Sequence, residues 1–256
     1  MVLARLCRPL PYFRGRHRIL DLLLPNDGVR TASIYGARMP LDLADFVQRK
    51  MFIGSFEDEE TKWVKRLLRR GMTAVDVGAN VGYYSALAAD CVGPTGKVIA
   101  FEPNPSAFER LREWIETNAI TQAKCFQMAI GNAPGKLTLY IPPASEHHDN
   151  ANLISGGLGA SSVVVPAQTL DAMLETLALD RIDFLKVDVE GYELRVMQGA
   201  KRSIEAGKIR AILAEFHPVT LSRGGTSTEE LLRWLEERGF QVRESTPTNR
   251  LLIYRG

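Results

Sequence analysis

The chain has 256 residues, 45% of them apolar, enough to enclose one large α/β domain or one domain with a small cap. Basic and acidic residues number 32 and 30, and the resulting net charge of +2 is too small to mark a nucleic-acid binder by its field alone. Cys7, Cys91 and Cys125 are far apart and show no CxxC spacing, which argues against a disulfide framework or a cysteine zinc site and fits a reducing, cytoplasmic setting.

No apolar run approaches the ~18 residues of a membrane span. The first residues are uneven in charge: Arg5, Arg8, Arg14, Arg16 and Arg18 all precede the first acid, Asp21. This arm reads as a solvated terminus. The sharper alternative is peripheral contact with an anionic membrane surface or substrate. Pro9 and Pro11 would interrupt the helix of an organellar transit peptide.

Residues 1–55 lack a strand–helix alternation and read as an N-terminal extension or cap. Pro25-Asn26-Asp27-Gly28 is a turn signal that predicts a hairpin between Ile19–Leu24 and Val29–Tyr35. From Glu57 an amphipathic helix runs toward Gly71, followed by a short buried strand, Thr73–Val77. Strands and helices then alternate. Helix is expected over 81–91, strand over 96–101, and helix from an Asn104 cap with Pro105 at its first position to about Asn118. A third strand is expected over 123–129, a helix over 169–177, a strand over 182–189, a helix over 193–206 and a strand over 209–216. A helix over 228–238 and an edge hairpin of 241–243 with 251–254 complete the domain, 56–256. Alternation of this kind predicts a parallel sheet with helices on both faces. The segment 131–168 is an insertion, with short strands at Leu137–Tyr140 and Ser162–Val165. Its polar loop, 142–160, suits a lid or substrate contact.

Ligands of open parallel sheets bind beyond the carboxyl ends of the strands. There the chain reads Asp76-Val77-Gly78-Ala79-Asn80-Val81-Gly82. Gly78 suits a tight turn with close backbone approach, and Gly82 close helix packing. The spacing is not G-x-G-x-x-G, and the Asp76 carboxylate would repel a pyrophosphate. It would attract the ammonium and sulfonium of S-adenosylmethionine. Glu102, ending the next strand, can accept both ribose hydroxyls. Its structural alternative is a cap for the following helix.

Four segments in order are similar to one family: Asp76–Ser85, Ala100–Pro105, Asp183–Glu193 and Ala214–His217, supported by Gly54–Glu57 and Thr169–Asp171. They resemble the FkbM family of S-adenosylmethionine-dependent methyltransferases over about residues 54–218. The resemblance implies a Rossmann-like, seven-stranded class I methyltransferase sheet. It also implies O-methylation of a sugar, glycan, glycolipid or secondary metabolite. It carries the donor contacts to Asp76, Gly78, Ala79, Asn80, Gly82, Glu102 and Pro103, the adenine flank to Met128 and Ala129, and the methionine end to Glu57.

A hydroxyl acceptor calls for a base. Lys186, Asp188 and Glu190 place three charges on alternate positions at the end of a strand that would ordinarily read apolar. Asp188 and Glu190 are the leading candidates for base or acceptor-orienting roles, with Glu215 and His217 beside them. The structural alternative is an ion pair with Lys186. Asp188, Glu190 and Glu215 could hold a magnesium ion, although no metal is expected. His147 and His148 lie in the polar loop without a third zinc ligand nearby and read as solvated. A nicotinamide oxidoreductase would need the missing glycine pattern. A binding module that kept only the fold would not need the acids. A base-flipping nucleic-acid methyltransferase would favour an Asn-Pro-Pro-Tyr-like turn where Val189-Glu190-Gly191-Tyr192 stands.

Overall fold

The structure, a computed structural model, describes residues 27–142, 151–154 and 159–255. The arginine arm, Cys7, Ile19–Leu24 and the His147-His148 pair fall outside the described residues.

A seven-stranded sheet organises the chain, in the order β11-β12-β10-β9-β3-β4-β5. Its strands are β3 (Thr73–Val77), β4 (Lys97–Phe101), β5 (Ala123–Phe126), β9 (Phe184–Val187), β10 (Ala211–Glu215), β11 (Phe240–Ser245) and β12 (Asn249–Tyr254). β3, β4, β5, β9 and β10 run parallel, and the β11–β12 hairpin closes the sheet with β12 antiparallel to β10. The seven-stranded sheet expected from the sequence is therefore present.

Strand alternation sends side chains to two cores. Ala74, Val98, Ala100, Phe184 and Leu213 pack under α2 (Asp58–Leu67), α3 (Tyr83–Val92) and α4 (Pro105–Thr117). Val75, Val77, Ile99, Leu185, Val187 and Ile212 pack on the other face. There they meet α5 (Leu170–Thr176), α6 (Glu193–Gly199), α7 (Lys201–Glu205), α8 (Pro218–Arg223) and α9 (Thr228–Glu236). The Asn104 cap and first-turn proline open α4 as the sequence indicates, the Asn104 side chain accepting from Ser106 N–H.

The expected pairing of Ile19–Leu24 with Val29–Tyr35 lies outside the described residues. Within them, Val29–Ile34 (β1) pairs with Ala37–Asp42 (β2) around Tyr35-Gly36, a hairpin the sequence does not announce. Both turn residues have positive φ, 47° and 83°, the backbone twist that favours a two-residue hairpin. The hairpin joins the first core through Ile34, Met39 and Leu41, and α1 (Phe46–Ile53) follows it. The helix expected to reach Gly71 ends at Leu67, where Leu68 turns extended.

The strand expected over 123–129 is two strands. Glu102 N–H takes the Phe126 carbonyl, the last ladder bond to β5, and the chain then swings away. Ala129–Ile130 (β6) joins a separate three-stranded sheet with β8 (Ser161–Gln168) and β7 (Gly135–Ile141). The helix expected over 193–206 breaks at Ala200, because the Asp171 carboxylate takes the Arg202 and Ser203 N–H groups and starts α7 afresh. Finally, β9 stops at Val187 rather than at 189. Asp188 and Glu190 therefore sit in a turn and not on an alternating strand face.

Candidate active site

Three strands end with a charge on the face covered by α2 and α3. Asp76 of β3, Lys186 of β9 and Glu215 of β10 each follow the apolar residue two positions earlier on that face: Ala74, Phe184 and Leu213. Asp76 and Lys186 are register partners on adjacent central strands. With Glu57, Asp188 and Glu190 they line a cavity of about 210 Å³ at the carboxyl edge of the sheet. Val47, Met51 and Phe56 form an apolar wall, and Ala151 brings the described end of the polar loop to the rim. Among the described lining residues Lys186 is the only cation, facing five carboxylates.

Lys186 is 1% exposed, and its Nζ lies 3.1 Å from Asp188 Oδ2. Burial alone would pull the ammonium down. The carboxylates of Asp188, Glu57 and Glu215 outweigh it and hold the group above its usual value. Asp76, also buried, accepts from Ser85 Oγ at 2.6 Å. Its pKa is pushed up to about 6 by burial, which the Ser85 hydrogen bond and Lys186 only partly offset. Glu215 is pushed well up by burial and then by Asp188 and Glu190, and its Oε2 has no hydrogen-bond partner.

Glu57 enters from outside the sheet. It precedes α2 in a left-handed conformation, φ 44°, a strained backbone that clusters at functional sites. Its Oε2 accepts from the Tyr84 hydroxyl. Burial raises its pKa, and Lys186 opposes the shift. The Tyr84 ring in turn lies 5.2 Å from Lys186 Nζ. Tyr83, beside it, spends its hydroxyl on structure: it donates to the Phe56 carbonyl at 3.0 Å and meets Tyr35 and Thr61 hydroxyls at 2.7 and 2.9 Å. The hairpin turn is thereby tied to the cavity wall.

The two loops that frame the cavity interlock. Asp188 N–H donates to the Val77 carbonyl at 3.0 Å, and a Cβ on Gly78 would lie 1.8 Å from the Asp188 carbonyl oxygen. The close approach that requires glycine is thus to the neighbouring loop. Glu190 adopts φ 53°, and Gly191 follows at 99°. Glu193, fully buried, fastens this turn through one oxygen that accepts from Val189 N–H at 3.1 Å and Gly191 N–H at 3.2 Å. Burial pushes its pKa up to about 7.

Of the other expected residues, Gly82, Glu102, Pro103, Met128, Ala129 and His217 lie outside the cavity lining. Gly82 is a packing glycine: a Cβ there would meet Leu111 at 2.6 Å and Trp114 at 2.7 Å. Glu102 accepts from Asn80 N–H at 2.7 Å and Asn104 N–H at 2.8 Å, and burial pushes it up to about 7. It both ties the glycine loop to α4 and presents a carboxylate beside it. Pro103 follows it in the chain. Met128 packs into the second core, and Ala129 is buried in β6. His217 caps α8 and is not among the lining residues. Gly78, Ala79 and Asn80 do line the cavity.

Asp188, Glu190 and Glu215 converge, each offering a carboxylate oxygen within 4.8 Å of the others. Oxygen donors suit a hard divalent cation, although Lys186 already supplies positive charge at Asp188. A hollow of about 420 Å³ at the opposite, amino-terminal edge includes Asp171. That carboxylate is consumed by the Arg202 and Ser203 groups that start α7.

Sequence reasoning did not single out Tyr84 and Glu193. The signals available were a second tyrosine directly after the glycine loop and an acid three residues beyond Glu190.

The family model described as "Methyltransferase FkbM domain" matches residues 76–242. The chain belongs to the FkbM methyltransferase family. The hexuronic acid methyltransferase AglP of Haloferax volcanii is 24% identical over 175 residues, covering 68% of this FkbM chain and 65% of its own length. The methyltransferase sdnD of Sordaria araneosa is 31% identical over 153 residues, covering 49% and 59%. The chain thus spans somewhat under two-thirds of the length of these relatives. The crystal structure of the methyltransferase FkbM from Methylobacillus flagellatus matches at 17% identity with a TM-score of 0.48, over 81% of this chain and 52% of that one. The FkbM match starts at Asp76 and ends within β11, so Glu57 and the β1–β2 hairpin lie outside it.

Proposed function

We propose that the protein is an S-adenosylmethionine-dependent methyltransferase that methylates a hydroxyl of a small acceptor, a sugar, a lipid-linked glycan or a secondary metabolite. The observation that carries this reading is the cavity's charge: five carboxylates and Lys186 at the carboxyl edge. A pyrophosphate dinucleotide would be repelled there, whereas a donor bearing an ammonium and a sulfonium is matched. Family membership and the names of the relatives support the same chemistry. Among the described residues no helix is long and apolar enough to cross a membrane.

The donor set fits. Asp76 and Glu57 are the cavity carboxylates outside the convergent trio, and both are available to an ammonium group. Glu102, one residue past β4, is placed for a ribose, with each oxygen already oriented by a backbone N–H. When bound, the sulfonium supplies a methyl group already activated for displacement. The chain's own task is then positioning and proton removal. Asp188 and Glu190 are the carboxylates placed to orient an acceptor hydroxyl and take its proton. Lys186 holds Asp188 in place, and Glu193 fixes the turn that carries Glu190. Glu215, pushed up by its neighbours, is suited to keep its own proton and donate a hydrogen bond. No step in this scheme requires a metal ion.

Calorimetry with S-adenosylmethionine, S-adenosylhomocysteine and NAD tests the reading. Binding of the first two and not of NAD is the expected result. Failure of both sulfur nucleosides to bind would overturn it.

A further inference from the structure

We propose that Tyr84 is a positioning residue of the donor end: its hydroxyl aims the Glu57 carboxylate at the ammonium group of the methyl donor. The inference rests on the donor reading above and adds a residue to it.

Tyr84 is 7% exposed and lies on the first turn of α3, with its ring against the cavity. A buried tyrosine hydroxyl needs a partner. Tyr83 satisfies that need on a backbone carbonyl and two neutral hydroxyls, as a structural tyrosine would. Tyr84 instead spends its hydroxyl on a cavity carboxylate. Glu57 depends on that bond. Its left-handed backbone projects the side chain from a segment that belongs to no strand, and the chain enters α2 directly after it. The charges around Glu57 are mixed, with Lys186 attracting and Asp188 and Glu60 repelling. A fixed donor decides which way such a carboxylate points.

The tyrosine is itself held. Its ring stands edge-to-face with Tyr83 at 5.4 Å and lies 5.2 Å from Lys186 Nζ. Burial, and then the Glu57 charge, keep the phenol protonated far above neutral pH. It therefore remains a hydrogen-bond donor throughout the working range, and Glu57 keeps its second oxygen for a ligand.

The test uses two probes, of which only one carries the amino-acid end in question; the sulfonium charge also differs between them, but it is the same for every variant of the chain. S-adenosylmethionine carries the amino-acid portion, and 5′-methylthioadenosine lacks it. Calorimetry is run on the full chain, on Tyr84→Phe, on Glu57→Gln and on the double variant. Tyr84→Phe keeps the ring and is expected to weaken S-adenosylmethionine roughly tenfold, the loss of one charge-linked hydrogen bond. It should leave 5′-methylthioadenosine within about twofold. The double variant should bind S-adenosylmethionine no more weakly than Glu57→Gln alone, since the hydroxyl acts through Glu57. Equal losses for both probes, no loss for either, or additive losses in the double variant would each overturn the assignment. If the unaltered chain binds neither probe, the donor reading falls and takes this assignment with it. A thermal melt separates a folding defect from a local one, because misfolding lowers both affinities together.

Discussion

A methyl group added to Gly78 would sit 1.8 Å from the carbonyl oxygen of Asp188, so the loop after β3 and the turn after β9 occupy one another's space to the last ångström. Gly78 also has φ 79°, where a side chain is strained whatever the room. Gly78→Ala should therefore cost about 2–4 kcal/mol of stability from overpacking and backbone strain together. It should also displace Asp188. Urea unfolding gives the first effect and calorimetric donor affinity the second. A variant with the original midpoint and affinity would contradict both.

Asp76→Asn separates charge from shape. Asparagine preserves the size of the side chain and can still accept from Ser85 Oγ, now 2.6 Å away. Thermal stability should change little, while S-adenosylmethionine affinity should fall by about 1.5–3 kcal/mol, the range for a hydrogen bond to a charged group. Unchanged affinity would remove Asp76 from the ammonium site.

Stability should decline as pH rises from about 5 to 8. Asp76, at about 6, and Glu102 and Glu193, both at about 7, are raised above unfolded carboxyl values near 4 by burial. A group raised in the folded state contributes stability fully below its unfolded pKa and loses it as pH rises through the folded one. Urea midpoints at pH 5, 6.5 and 8 should fall in that order. Glu193→Gln should flatten the decline by removing one titration. A midpoint that rises over this range would show that these groups do not govern it.

Lys186→Met should move the pH dependence of donor binding upward. The ammonium favours the ionised forms of Asp76, Glu57 and Glu215, and its removal leaves burial unopposed. Donor affinity should then rise through a midpoint above the value near 6 expected for Asp76 in the unaltered chain. Titration calorimetry from pH 5 to 8.5 reads the shift directly.

Asp188→Asn and Glu190→Gln should lower methyl transfer by about 10²-fold or more while changing donor affinity little, as removal of a general base does. Transfer from a radiolabelled methyl donor into a metabolite extract reads the first quantity. Parallel losses in both would place these residues at the donor instead.

Much of this site was legible because buried parallel strands read apolar, and charges at their ends stand out. Lys186 is visible on that ground alone, whereas Asp76 is marked by the glycine motif that follows it and Glu215 by its place beside Asp188 and Glu190. Glu190 was found with the wrong local geometry: alternation was assumed past Val187, but Glu193 claims the Val189 and Gly191 N–H groups and bends the chain into a left-handed turn. Periodicity carries no information about a side chain that reaches back to its own turn. The β1–β2 hairpin is not legible for a related reason: Tyr35-Gly36 makes the turn with one glycine and a tyrosine whose hydroxyl is needed at Tyr83. Tyr84 went unnoticed because a tyrosine on a buried helix face ordinarily means packing.

The pairing of Asp76 with Lys186 across adjacent strands has a consequence for assembly of the sheet. The rest of the ladder pairs Ala74 with Phe184, Val75 with Leu185 and Val77 with Val187, apolar residues that alone specify the alignment of β3 on β9 less sharply than a charge pair does. A slip of one position would turn one charge onto the opposite apolar face and strand it away from its counterpart, at a cost no aliphatic repacking could recover. The residues assigned here to chemistry thus also act as an alignment key, and a variant neutral at both positions would be expected to lose fidelity of folding as well as its ligand.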